Sequence, residues 1–147
     1  MAAKFNQLTL AGTSPAAPST AVLGGASNVI GGLDEADWLH IVATVTGATG
    51  GTLDVYLQIS PDAGTTWVDY IHFPQLAAAA AAVSYSYTSA LNNALTVVGT
   101  ALVPALAANS AAGGWWGKQM RAVCVAGAGT VAGAVQTMIV TGVHRRD

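Results

Sequence analysis

Charge is what this chain lacks most. Only 8% of its 147 residues are Asp, Glu, Lys or Arg, against about 25% in an ordinary soluble domain. No Lys or Arg falls between Lys4 and Lys118, while six acids do: Asp34, Glu35, Asp37, Asp54, Asp62 and Asp69. The net charge is -2. A nucleic-acid binder needs a basic stripe to meet phosphates, so nucleic acid is not an expected partner. The closing His144-Arg145-Arg146-Asp147 is too small a basic cluster to alter that; it suits an acidic patch on a neighbour or a solvated end. Cysteine occurs once, so an intrachain disulfide framework is excluded. Cys124 lies in Ala-Val-Cys-Val-Ala and reads as a small buried hydrophobe rather than a reactive thiol. Long apolar runs are missing too. Leu76–Val83 and Val97–Ala108 fall short of the roughly 18 residues of a membrane span or carry Pro and Gly. MAAKFNQLTLAG holds no apolar core of signal-peptide length. No membrane is therefore expected as a partner, and nothing marks secretion.

Apolar residues make up 52% of the chain and mean hydropathy is +0.49, much of it from alanine. At this length one domain is expected, large enough to bury about 68–70% of its unfolded surface without staples. A chain so poor in charge and rich in Ala, Gly, Thr and Val suggests a surface covered by neighbours.

Residues 51–73, GTLDVYLQIS-PDAG-TTWVDYIHF, fix the class. Leu53, Val55, Leu57 and Ile59 alternate with Asp54, Tyr56 and Gln58, the period of a strand. Beyond the break, Trp67, Asp69, Ile71 and Phe73 alternate with Val68, Tyr70 and His72. Pro-Asp-Ala-Gly between the runs supplies turn residues, so the segment predicts a β-hairpin. Its tip, Ser60-Pro-Asp62-Ala-Gly64-Thr-Thr-Trp67, resembles the Asp-box, S-x-D-x-G-x-T-W. Asp62 can accept hydrogen bonds from backbone N–H groups of its own turn, Gly64 can take φ > 0, and Trp67 can pack beneath. The motif is best known from sialidase-like propellers, but this chain is too short for blades and has no repeat of that period. A structural hairpin is the stronger reading over a glycan-related one.

Further strands follow the same alternation. Asp37–Thr46 sets Leu39, Ile41, Ala43 and Val45 against Trp38, His40, Val42 and Thr44. Gln75–Ala82 holds six consecutive alanines between Pro74 and the β-prone Val83–Thr88, and predicts a loop or one helical turn. Ala94–Val103 is a candidate strand ended by Pro104, and Ala105–Gly114 a loop. Lys118–Ala126 and Thr130–Val143 are expected to close the chain as a pair joined by a Gly127-Ala128-Gly129 hairpin turn. Gly24-Gly25 and Gly31-Gly32 read as turns. Six to eight strands with glycine-rich connections predict an all-β fold: an antiparallel β-sandwich over residues 21–147, most specifically a jelly roll. Residues 1–20, rich in Ala, Ser, Thr and Pro, predict an extended N-terminal arm. It could reach about 65 Å from a domain with a radius of gyration of about 15 Å.

No enzyme is expected. There is no G-x-S-x-G, no phosphate-binding glycine loop and no Cys/His pairing for zinc. His40 and His72 are expected to face solvent or a sheet edge. Asp34, Glu35 and Asp37 fit no calcium-loop spacing and read as an acidic turn. No cofactor and no metal site is expected. Trp115-Trp116, between glycines, would point to opposite faces of a strand. One exposed Trp there suits an interface anchor or, with Tyr85 and Tyr87, a sugar-stacking platform; both packed on the core is the plainer alternative.

The Leu53–Trp67 hairpin, the following Asp69–Phe73, the Ala/Gly-rich remainder and the final R-A-V…V…V-T-G strands resemble small structural proteins of tailed-phage virions. What that resemblance implies is a jelly-roll capsid decoration, or cement, protein. It would be made in the host bacterial cytoplasm and seated on the outside of an HK97-like shell. Its partners would be the major capsid protein and a second copy of itself, with Lys4, Phe5, Trp115, Trp116, Arg145 and Arg146 as candidate interface residues. A head, neck or tail protein of the same virion, or a glycan-binding β-sandwich module, are the alternatives.

Overall fold

The computed structural model describes residues 4–13, 19–46, 51–75, 83–90, 106–112, 117–127 and 135–144. They form ten strands: β1 (Lys4–Thr13), β2 (Ser19–Val22), β3 (Ile30–Gly31), β4 (Ala36–Thr46), β5 (Leu53–Ser60), β6 (Val68–His72), β7 (Val83–Ala90), β8 (Ser110–Ala111), β9 (Gln119–Ala126) and β10 (Val135–His144). Every pairing is antiparallel. No α-helix occurs among the described residues; Leu33–Glu35 make one 3-10 turn.

Two sheets result. One has the order β1-β10-β4-β7; the other runs β2-β9-β5-β6-β8, with β3 also paired to β9. Among the eight longer strands the pairing is nested. The outermost, β1, lies against β10, then β2 against β9, β4 against β7, and innermost β5 against β6. The chain is thus one long hairpin folded back at the residue 60–67 turn. The β10–β4 and β9–β5 ladders join its layers into the two sheets.

The core draws on both sheets. Leu10, Leu39, Ile41 and Ala43 of the first meet Leu53, Val55, Leu57, Ile59, Met120, Ala122 and Cys124 of the second in one buried cluster. These positions follow period two along β4, β5 and β9, because alternate residues of a strand share a face. Burying each large aliphatic side chain contributes roughly 1.5–3 kcal/mol. The Cys124 thiol is fully enclosed, and burial pushes it up to about 12.

Three expectations change. Residues 4–13 are not a free arm: β1 pairs with β10 along its whole length, from Lys4 opposite His144 to Thr13 opposite Val135, and Leu10 is core. Ser19 begins β2, which pairs with β9. The boundary near residue 20 therefore cuts through a strand of the domain. The last two strands are not a hairpin either, since β9 and β10 lie in different sheets. Finally, β6 is bulged between the pairs Leu57–Ile71 and Gln58–Asp69, leaving Tyr70 as the extra residue. Trp67 and Asp69 thus fall on the outer face while Tyr70, Ile71 and Phe73 all join the core. The strict alternation expected over 67–73 holds only up to Asp69. The expectations for Ala94–Val103, Leu76–Ala82 and the Gly113–Trp116 segment lie outside the described residues; within 105–114, Ser110–Ala111 form the short strand β8.

Candidate functional site

The tip of the innermost hairpin holds together through three side chains and the Gly64 backbone. Ser60 Oγ donates to Asp62 Oδ1 at 2.9 Å and accepts from the Gly64 N–H at 2.7 Å. Asp62 Oδ1 also accepts from the Thr66 N–H at 2.7 Å. Trp67 Nε1 donates to the Gly64 carbonyl at 3.0 Å. Ser60, Asp62, Gly64 and Trp67 are therefore one connected unit. Gly64 has φ 97°, and Ala63 beside it has φ 57°, a conformation that disfavours a side chain with Cβ. Hydrogen bonds from the Thr66 side chain and N–H, and then from Ser60, hold the Asp62 carboxyl down at about 2.

This turn is anchored from below. Trp67 is buried, and the Arg121 guanidinium lies 4.2 Å from the centre of its ring. Behind it, the Lys118 N–H donates to the Ser60 carbonyl at 2.9 Å. Gly117 makes that approach possible: a Cβ there would stand 2.5 Å from the same carbonyl oxygen, at φ +72°.

A second polar cluster, which the sequence did not announce, spreads from Arg121 over the outer face of the larger sheet. Arg121 Nε and Nη2 both donate to Gln58 Oε1, at 3.0 and 2.9 Å. Gln58 Nε2 donates onward to Asp69 Oδ1 at 3.0 Å, and Asp69 Oδ2 accepts from the Leu106 N–H at 3.1 Å. Gln58 and Asp69 have no solvent exposure. Burial also lowers the Arg121 guanidinium from its ordinary value. His72 lies between Leu106 and Asp54, stacked on Tyr56 with ring centres 3.9 Å apart. Gln75 Nε2 donates to the other Asp54 oxygen at 2.8 Å. Burial first, then the charges of Asp54 and Asp69, push the Tyr56 hydroxyl up to about 12. Tyr56, Leu106 and Val123 pack into a small apolar cluster on this face. His72 is thus buried, contrary to the expectation that it faces solvent or an edge. Its position follows from the covering segment around Leu106.

The arrangement holds backbone in place, through Asp69 and His72 at Leu106. Gln58 is bonded to Arg121 and Asp69, Asp69 also to the Leu106 N–H, and Asp54 lies against His72 and Gln75. Among the described residues no group of three or more His, Cys, Asp or Glu is placed to hold a metal ion. A cavity of about 200 Å³ opens between Phe73, Pro74, Tyr87 and Asn109. The Tyr87 ring meets Tyr70 edge-on at 6.2 Å and packs against the core while also lining this cavity. Of the candidate interface residues, Lys4 and Phe5 sit at the start of β1, opposite His144 and Val143. Trp115, Trp116, Arg145 and Arg146 lie outside the described residues. No protein-family model, no curated protein and no solved structure matches this chain.

Proposed function

We propose that the chain is a structural virion protein that binds the outside of an icosahedral HK97-like phage shell and stabilises it, as a capsid decoration or cement protein. The observation that carries this reading is the scarcity of charge: seven acids and five basic residues in 147. A domain free in solution keeps a charged surface; one whose faces are covered by neighbours need not. The nested pairing of the eight longer strands supports a jelly-roll sandwich, the architecture expected of such a protein. First pairs with last, and so inward to the innermost hairpin, across two sheets. The partners are the major shell protein and a second copy of the chain. Function then resides in contact area, not in a reacting group: many weak contacts across capsomer boundaries add up, because each bound copy raises the effective concentration of its neighbours' sites. Electron cryomicroscopy of the particle that carries this chain tests the reading. Density for a two-sheet domain of this size on the outer surface of the shell is expected. Its confinement to the neck or tail, or its absence from the particle, overturns it.

A further inference from the structure

Leu106 is where the segment leading into β8 meets the outer face of the larger sheet, and β6 takes both of its backbone polar groups. Its N–H donates to Asp69 Oδ2, and its carbonyl oxygen lies 2.7 Å from His72 Nδ1. Its side chain covers Tyr56 and Val123. The segment then continues as ordinary ladder: Ser110 opposite His72, Ala111 opposite Ile71, and the Ala112 N–H donating to the Tyr70 carbonyl at 2.7 Å. Residues 106–112 thus form a strap, fastened by backbone pairing at one end and by two ionisable side chains at the other.

The second ring nitrogen of His72, Nε2, lies 2.9 Å from Asp54 Oδ1. A carbonyl oxygen only accepts, an ionised carboxylate only accepts, and a neutral imidazole carries one N–H. Both short contacts are hydrogen bonds only when both ring nitrogens carry hydrogen. Without the second proton, one of them sets lone pair against lone pair, at Leu106 or at Asp54. Water has little access to relieve this, since His72 is 5% exposed and Tyr56 covers one ring face. Among the described residues, the ionisable groups around the ring are Asp54 and Tyr56 from β5 and Asp69 on β6, and Arg121 on β9 reaches the cluster through Gln58.

We propose that His72 is a proton-operated latch: protonated, it fastens Leu106 to the sheet; deprotonated, it frees the Leu106 end of the strap, while β8 stays paired, and uncovers Tyr56 and Val123. The sign follows from proton counting. The latched form holds the second imidazole proton and the released form gives it up, so rising pH favours release.

The test is hydrogen exchange at the Leu106 amide in the full chain, corrected for intrinsic exchange, across the His72 titration followed by imidazole nitrogen NMR. Protection is expected to fall about tenfold or more as the ring loses its proton, the equivalent of one charge-assisted hydrogen bond. Protection at Val123, within the β9 ladder, is expected to hold. Asp54→Asn supplies an N–H that a neutral ring nitrogen can accept, so this variant is expected to keep Leu106 protected at high pH. Unchanged Leu106 protection through the wild-type titration, or an equal loss in Asp54→Asn, overturns the latch. His72→Phe is expected to abolish the pH dependence; if that variant fails to fold, the wild-type and Asp54→Asn measurements still decide.

Discussion

Trp67 lies beneath a turn to which it also donates a hydrogen bond, so its loss removes both packing and a tether. Trp67→Ala is expected to destabilise the fold by about 3–5 kcal/mol, the usual loss for a buried large aromatic. Thermal or urea unfolding reads this directly, and an unchanged midpoint would mean that the ring anchors nothing. Asp62 gives a pH signature at the same turn. Its carboxyl titrates at about 2 in the folded chain, below the ordinary 3.8. Its contribution is therefore fully present above the ordinary value and is lost as pH falls through about 2. Exchange at the Thr66 amide is expected to accelerate in that acid range in wild type, and Asp62→Asn should flatten the dependence. At Cys124, burial and a thiol raised to about 12 predict no reaction with a thiol reagent at neutral pH until denaturant unfolds the chain. Rapid labelling of the native protein would contradict the enclosed core.

At the scale of elements, β1 is the case where sequence and structure part most. Lys4–Thr13 lacks the repeated large apolar residues that mark β5, and its partner β10 lies about 130 residues away in the chain, so no local pattern announces the pairing. Deleting residues 4–13 removes the β1 ladder from one edge of β10, leaving its β4 pairing, and takes Leu10 out of the core. The truncated chain is expected to lose cooperative unfolding by circular dichroism and calorimetry; a wild-type midpoint would show that β1 is dispensable after all. β5 was legible because its alternation is unbroken. β6 was legible only up to Asp69, because a bulge inserts one residue without any glycine or proline to signal it. β9 and β10 were each readable as strands, yet a strand's alternation does not say which strand it pairs with. The candidate site divides the same way. The hydrogen bonds of the Ser60–Trp67 turn span at most four residues, so spacing alone exposes them. Those of the outer-face cluster join residues 34 and 63 positions apart, at His72–Leu106 and Arg121–Gln58. No spacing rule reaches that far, and the polar positions of β5 read as solvent-facing until the covering strap is known.

At the scale of the molecule, sparse charge fits the proposed life among neighbours. The nested hairpin supplies a rigid body, the Asp62 turn closes its innermost pair, and the strap at Leu106 covers part of one outer face. None of these alone requires a shell, so the decisive measurement concerns the shell itself. Particles stripped of this protein are heated with and without purified chain added back, while bound copies are counted and genome release is followed. Saturable binding to the outer surface is expected, with release at a higher temperature once the sites are filled. No binding to stripped shells, or full occupancy with unchanged heat resistance, would contradict the proposed role.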